Sequence, residues 1–134
     1  EVAAVSSSVD AGKLQALDSL VDDFVIPNIH PQVFPAIQAT TDIDNLQALG
    51  VIETFSLSSC IVAADFAVKA ADVMLIEIRL GRALGGKSFV TMTGDTAAVR
   101  SAVQAGVESV REDGLLLDYV VIPSPHPNLL ESIV

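Results

Sequence analysis

The pattern of hydrophobic and polar positions from residue 46 onward predicts an alternation of strands and helices. Runs of apolar and β-branched residues predict four strands, over Ala48–Phe55, Val73–Leu80, Ser88–Thr93 and Leu115–Ile122. Apolar positions that recur every three or four residues predict two helices, one from about Leu57 to Ala71 and one from Thr96 to about Arg111. The order β-α-β-β-α-β predicts an α+β, ferredoxin-like fold, in which both helices cover one face of a four-stranded antiparallel sheet.

The same pattern predicts which side chains face the core. On the first helix the apolar stripe consists of Leu57, Ile61, Ala64, Val68 and Ala71. On the second helix it consists of Val99, Ala102, Val103, Gly106, Val107 and Val110. Alternation along the second strand places Met74, Ile76 and Ile78 on one face, and Glu77 and Arg79 on the other. The expected helix N-caps are Ser56 or Ser58 for the first helix and the carboxylate of Asp95 for the second.

An internal repeat relates the start of the chain to its end. EVAAVSSSVDAG (1–12) matches DTAAVRSAVQAG (95–106) in seven positions, at a shift of 94 residues. DDFVIPNIHP (22–31) matches DYVVIPSPHP (118–127) in six positions, at a shift of 96 residues. Thirteen identities in two ordered blocks indicate a duplicated module rather than chance similarity.

The repeat divides the chain into two parts. We expect a complete module over 46–134 and, over 1–45, the C-terminal remnant of a preceding module plus a linker. By this correspondence 1–17 is the second helix of the remnant and 20–27 is its last strand. The apolar face of that helix and the edges of that strand need a cover, supplied by a further piece of the same chain or by another subunit.

Composition restricts the classes of function. Hydrophobic residues make up 51% and charged residues 18% of the 134 positions, which excludes a disordered chain and favours an oligomer that buries apolar surface between subunits. A net charge of −10 with 4% aromatic residues argues against a nucleic-acid partner, because phosphate neutralisation and base stacking both lack suitable residues. No apolar run approaches the ~20 residues of a membrane span, so no membrane partner is expected. The single cysteine, Cys60, suits a reducing compartment.

The segment Gly81–Ser88 matches the phosphate-binding pattern G-x-x-x-x-G-K-[ST]. Phosphate binding through this pattern requires a helix directly after the loop, because the amides and dipole of that helix hold the anion. Here Ser88 leads into an alternating strand instead, and the next helix follows Asp95. The segment therefore favours a β-hairpin loop over a nucleotide-hydrolysing site.

The remaining reactive side chains are scattered along the chain. His30 and His126 each stand in an Ile-Pro-x-x-His-Pro segment without a second ligand at metal-binding spacing, which favours a structural or interface role. Cys60 lies in the first turn of an apolar helix and is expected to be a buried, inert thiol. Three carboxylates lie one per element and form no acid–base pair: Asp65, Glu77 and Asp95. We therefore expect no enzyme, and no catalytic, cofactor-binding or metal-binding residue in this chain.

Taken together, these segments resemble a known family. A resemblance to the bacterial microcompartment shell domain covers 47–128 and rests on three stretches, ALGVIETFSLSSCIVAADFAVKAADVMLIEIRLG, TGDTAAVRSAVQAG and VIPSPHP. The segment that joins the two copies, LVDDFVIPNIHPQVFPAI, is similar to tandem-domain, trimeric shell proteins of the propanediol-utilisation type. The first domain of that tandem is then truncated in this chain.

The resemblance implies a structural role. Tandem members form homotrimers whose six domains imitate a hexameric tile, and a central pore passes small molecules. Implied partners are further copies of the chain, other shell proteins and encapsulated enzymes, in a shell within the cytoplasm. The family's pore loop falls on Leu84, Gly85 and Gly86. Its tile-edge contacts fall on Lys69, Ser124 and His126, and Ser124 stands where the family has an arginine, which puts the usual edge contact in question.

The resemblance also bears on cofactors and permeants. Tandem relatives hold an iron–sulfur cluster at the pore through a cysteine in the first domain's loop, and we hypothesise such a cluster, with electron transfer, for the intact parent. Cys60 belongs to a helix of the second copy and is not the equivalent cysteine, so no cofactor is expected in this chain. Free glycine amides at the pore, flanked by Arg82 and Lys87, favour neutral or anionic permeants.

Two other functions stay open at this point. One is a regulatory, ferredoxin-like module that binds a small molecule between subunits. The other is a nucleotide-dependent enzyme built on the Gly81–Ser88 loop.

Overall fold

The computed structural model describes residues 1–81 and 85–133, in which a β-α-β-β-α-β module follows an N-terminal region. The helices and strands are α1 (Val2–Ala16), α2 (Val33–Ile37), β1 (Ala48–Thr54), α3 (Leu57–Ala70), β2 (Met74–Arg79), β3 (Ser88–Gly94), α4 (Thr96–Arg111), β4 (Leu116–Ile122) and α5 (Leu130–Ile133). Short 3-10 turns occupy Leu17–Ser19 and Pro127–Leu129. Within the described ranges, no helix combines the length and the apolar character that a membrane crossing needs.

The four strands form one antiparallel sheet in the order β2-β3-β1-β4. α3 and α4 pack on one face of this sheet, where residues such as Ile52, Val90 and Met92 meet their apolar sides. On the other face, Ile43, Leu49 and Ile76 form a smaller cluster that contacts chain segments before β1 and after β4. The predicted α+β, ferredoxin-like fold is confirmed.

α4 follows its sequence pattern closely, because all six residues of the predicted stripe are buried. At Gly106 an added Cβ would lie 2.6 Å from Ile52 Cδ1 and 2.7 Å from the carbonyl oxygen of Ala63. Such distances leave no room for a methyl group, so glycine is what allows α4 to approach α3 and the sheet this closely.

One of the two predicted helix caps forms its expected side-chain hydrogen bond, and the other does not. Ser56 is the N-cap of α3, and its Oγ accepts a hydrogen bond from the Ser59 amide at 3.1 Å, as expected. Asp95 occupies the N-cap of α4, but its side chain makes no hydrogen bond to the helix, so that part of the prediction is wrong. Its carboxylate is exposed, so water hydrates it in place of the first-turn amides.

α3 buries a wider face than its apolar stripe predicted. Its buried residues are Ser59, Cys60, Val62, Ala63, Ala64, Asp65, Ala67 and Val68, whereas Leu57 remains 43% exposed. The helix contacts α4 and the sheet on one side, and the N-terminal region of the chain on another. This second contact buries a polar sector that a search for apolar periodicity does not detect.

The alternation predicted for β2 is also wrong. A β-bulge between Leu75 and Glu77 interrupts its pairing with β3. Leu75 and Ile78 therefore face the two helices, while Ile76 packs in the cluster on the opposite face. A bulge adds one residue to a strand and reverses the faces of everything beyond it, and the sequence carries no clear sign of it.

The N-terminal region contains one predicted element and lacks another. α1 forms as expected, but buries none of its residues, and Val5 and Leu14 are 51% and 75% exposed. Residues 20–27 do not form the predicted strand. A strand needs a neighbour with free backbone groups, and β1, the equivalent neighbour in the complete module, is already paired with β3 and β4.

The segment before the module is nevertheless fastened to it. Phe24 and Ile26 pack against the helix-side core, and Val33 in α2 is fully buried. Gln32 accepts a hydrogen bond from the Leu75 amide at 3.0 Å through its side-chain oxygen. Residues 22–37 are thus an integral layer of the fold.

Candidate assembly interface and pore loop

The predicted tile-edge residue Lys69 lies at the C-terminal end of α3 and contacts the N-terminal region of the same chain. Its Nζ donates hydrogen bonds to the carbonyl oxygen of Asn28 and to Oδ2 of Asp65, both at 2.5 Å. The Lys69 side chain is 40% exposed, whereas that of Asp65 is only 3% exposed. The structure therefore places Lys69 in a contact between the two parts of the repeat.

Asp65 is the centre of this contact. Its Oδ1 accepts a hydrogen bond from the backbone amide of His30 at 2.7 Å, while its Oδ2 binds Lys69. Burial of a carboxylate is costly unless each oxygen has a partner, and both oxygens have one here. Sequence reasoning treated Asp65 as an isolated carboxylate and missed this role. The available signal was its spacing, because Asp and Lys four residues apart lie next to each other on a helix.

We call residues 22–31 the first repeat segment and residues 118–127 the second repeat segment. The first repeat segment follows α3 along its length. At the helix N-terminus, the Ser56 hydroxyl donates a hydrogen bond to the carboxylate of Asp22. At the other end, Asn28 and His30 bind the Asp65–Lys69 pair through backbone groups. Three polar contacts and the apolar packing of Phe24 and Ile26 thus hold the segment in place.

The second repeat segment carries the other two predicted tile-edge residues. Ser124 and His126 are exposed in the loop that follows β4, and neither contacts Lys69 through a hydrogen bond among the described residues. Upstream in this segment, Tyr119 and Val120 are 44% and 46% exposed on β4, an edge strand of the sheet. This part of the module therefore presents an open surface.

The predicted pore loop joins β2 to β3. Leu84 lies outside the described residues, while Gly85 and Gly86 form an exposed turn with φ of +66° and +88°. The loop lies at the end of the sheet where Thr54 pairs with Ser88, and Ser124 follows the opposite end, where Leu49 pairs with Ile122. The sheet thus separates the predicted pore residues from the predicted edge residues.

The phosphate-binding interpretation of Gly81–Ser88 is wrong, as the sequence analysis expected. β3 begins at Ser88, so a strand rather than a helix follows the loop. The Ser88 hydroxyl accepts a hydrogen bond from the Gly81 amide at 3.3 Å, which closes the base of the hairpin.

Cys60 is confirmed as a buried thiol. Burial in the core raises its pKa from 9.0 to about 12, against a smaller lowering by its contact with Thr54. The thiol stays protonated near neutral pH, and in that form it is neither a nucleophile nor a metal ligand. No group of three or more His, Cys, Asp or Glu side chains suited to a metal occurs within residues 1–81 and 85–133. These residues do not fit an iron–sulfur cluster.

Comparison with known proteins decides the family. The sequence pattern of the BMC domain matches residues 48–125, which is more than half of the chain. The chain belongs to the BMC domain family. It is 42% identical to the bacterial microcompartment shell protein PduT of Citrobacter freundii over 134 residues, which are all of this chain and 73% of that protein. The shell role expected from the sequence is confirmed.

Two further comparisons, one with a sequence and one with a solved structure, indicate the same family. The chain is 40% identical over 87 residues to the bacterial microcompartment shell protein EutM of Escherichia coli strain K12, which covers 64% of this chain and 87% of that protein. The crystal structure of a microcompartment protein from Desulfitobacterium hafniense DCB superposes with a TM-score of 0.85 at 58% identity, over 98% of this chain and 73% of that one. This BMC domain chain is therefore similar in sequence and in three dimensions to proteins of microcompartment shells.

Proposed function

We propose that this BMC domain chain is a non-catalytic tile component that assembles as a homotrimer of tandem modules around a central pore. The observation that carries the proposal is the contact between the first repeat segment and α3, because the module at 46–134 there binds a segment that repeats its own end. Repetition of such a head-to-tail contact by rotation closes a ring. Three chains with two modules each would give six similar positions.

The proposal includes a preceding module, of which 1–45 is the C-terminal part and linker, before the complete module at 46–134. The PduT relative is longer than this chain by about 50 residues, close to the length that the repeat requires. α1 supports the same proposal, since a helix that buries none of its residues is marginal by itself. The upstream part of the preceding module would cover its exposed apolar residues.

The experiment that tests this proposal is the solution mass of the full-length protein. Sedimentation velocity and native mass spectrometry should give three times the intact mass, and electron microscopy should show flat arrays. Other shell proteins are the expected neighbours in such arrays, with encapsulated enzymes on one side. A stable monomer at micromolar concentration would contradict the trimer.

The pore loop gives a second test. Gly85→Trp should lower the entry rate of a small carboxylate into purified shells by about an order of magnitude, because three bulky side chains, one from each chain of the trimer, would converge at the axis. Gly114→Trp is the matched control. Gly114 has a φ of +69° and, like Gly85, no heavy atom within 4 Å of an added Cβ, so both substitutions impose the same backbone cost. Equal entry rates for the two variants would contradict the assignment of residues 84–86 to the pore.

The iron–sulfur cluster remains a prediction for the intact parent alone. Its ligand would be a cysteine of the preceding module, because the chain's own thiol, Cys60, is buried in α3. Anaerobic absorption spectroscopy of the full-length protein tests for the cluster.

A further inference from the structure

The two repeat segments share the hydrogen bonds around their histidines, although 118–122 belong to β4 and 22–26 form no strand. His30 Nδ1 accepts a hydrogen bond from the Gln32 amide at 3.3 Å, and His126 Nδ1 accepts one from the Asn128 amide at the same distance. In both segments the carbonyl oxygen of the histidine accepts from the amide three residues later, at 3.0 and 2.9 Å. The same backbone groups are therefore presented in the same local geometry.

The surroundings of the two segments differ. In the first segment Asp22, Asn28 and His30 are bonded to α3 and its N-cap. Their counterparts in the second segment, Asp118, Ser124 and His126, are all exposed. Within the described ranges, no group accepts a hydrogen bond from the His126 amide. One segment is docked, and the other has the same groups available.

We propose that the second repeat segment docks on a second copy of this protein, on the helix that corresponds to α3 in that copy's preceding module. The proposal rests on the tandem trimer proposed above and identifies one of its contacts. By analogy with the first segment, the carbonyl oxygen of Ser124 accepts from a lysine, and the amide of His126 donates to an aspartate four residues before it. The carboxylate of Asp118 accepts from a serine or threonine at the helix N-cap.

The receiving helix cannot be α3 itself. Asp65 and Lys69 are already bound by the first repeat segment of their own chain, so a second segment would have to displace it. The partner must therefore offer a free helix of the same chemistry, with an Asp-x-x-x-Lys pair near its C-terminus.

This contact uses backbone groups at positions 124 and 126. The groups that bind at positions 28 and 30 in the docked segment belong to the backbone, a carbonyl oxygen and an amide. A side chain at position 124 is then not required for this contact.

The test removes a single hydrogen-bond donor, the backbone amide of His126. His126 has a φ of −62°, which proline adopts without strain, so His126→Pro removes the donor and leaves the backbone path unchanged. In full-length protein, His126→Pro should raise the dissociation constant of the trimer at least about tenfold, since a hydrogen bond to a charged acceptor is lost at each interface. His126→Ala is the control, because it removes the imidazole and keeps the amide, and it should change the constant by less than about threefold.

Hydrogen exchange provides a measurement that needs no variant. Prolines at 123, 125 and 127 leave Ser124 and His126 as the only amides between Ile122 and Asn128. Exchange of a peptide over this stretch should slow at least about tenfold in the trimer relative to dissociated protein.

The possible results distinguish the docking contact from the tandem trimer on which it rests. A wild-type trimer with fast exchange at His126, or with equal dissociation constants for His126→Pro and wild type, overturns the docking contact and leaves the tandem trimer standing. A wild-type protein that stays monomeric overturns both. Loss of assembly in His126→Pro, with retention in His126→Ala and slow exchange in wild type, supports the contact.

Discussion

Asp65→Ala should lower the free energy of unfolding by about 2–4 kcal/mol, the largest loss expected from a single polar side chain in this chain. The substitution removes the acceptor of the His30 amide and leaves that amide unpaired in a partly buried position. The ion pair with Lys69 adds little to this figure, because the lysine side chain is 40% exposed and screened by solvent. Urea denaturation measures the loss.

Two controls make the result specific. Asp65→Asn keeps a side-chain oxygen for the His30 amide and should retain a large part of the stability. Asp95→Ala removes a carboxylate that makes no hydrogen bond to its helix, and should change stability by less than ~0.5 kcal/mol. The first repeat segment should also exchange its amide hydrogens faster in Asp65→Ala. If exchange at residues 22–31 is unchanged, Asp65 does not hold the segment.

Gly106→Ala should destabilise the protein by about 1–3 kcal/mol, although alanine is the better helix former. The new methyl group would lie 2.7 Å from the backbone oxygen of Ala63, which cannot rotate away. Gly12 is the matched control, since it is the repeat counterpart of Gly106 and has no heavy atom within 4 Å of an added Cβ. In this chain Gly12→Ala should leave the free energy of unfolding within ~0.5 kcal/mol of wild type.

The same pair tests the preceding module. If that module is complete in the full-length protein, Gly12 lies against its own partner helix, and Gly12→Ala should become destabilising by about 1–3 kcal/mol, as Gly106→Ala is. Denaturation of both variants in both lengths of protein measures this change. A Gly12→Ala variant that is neutral in the full-length protein as well as in this chain would contradict a second module built like the first.

The sequence predicted the buried residues of some elements better than those of others, for a physical reason. α4 packs on one side alone, against the sheet and α3, so its apolar periodicity identified every buried residue. α3 has neighbours on two sides, and its second neighbour binds Asp65 and Ser56, which are polar. β2 contains a bulge, and residues 20–27 pair with no strand. These wrong predictions concern contacts with other elements of the fold, whereas the missing side-chain cap of Asp95 is a local exception.

The candidate site shows the same division. The Gly85–Gly86 turn and the exposed His126 could be located from sequence, because a turn and a loop after a strand depend on nearby residues. Lys69 was singled out as a tile-edge residue, which stays a prediction, and its partners Asn28 and Asp65 were not identified. Asn28 is 41 residues from Lys69 in sequence, and patterns among neighbouring residues do not predict a contact over such a separation.

The sequence by itself determined the module, its duplication and its family. All three depend on hydrophobic periodicity and on repeated identities, which are properties of the sequence alone. Only the tertiary structure decided that the two repeat segments have different surroundings, one bound to α3 and the other exposed. The six of ten positions that the two segments share do not encode that difference. It arises because a hydrogen bond needs a partner at the right place, and the Asp65–Lys69 pair accommodates one segment at a time.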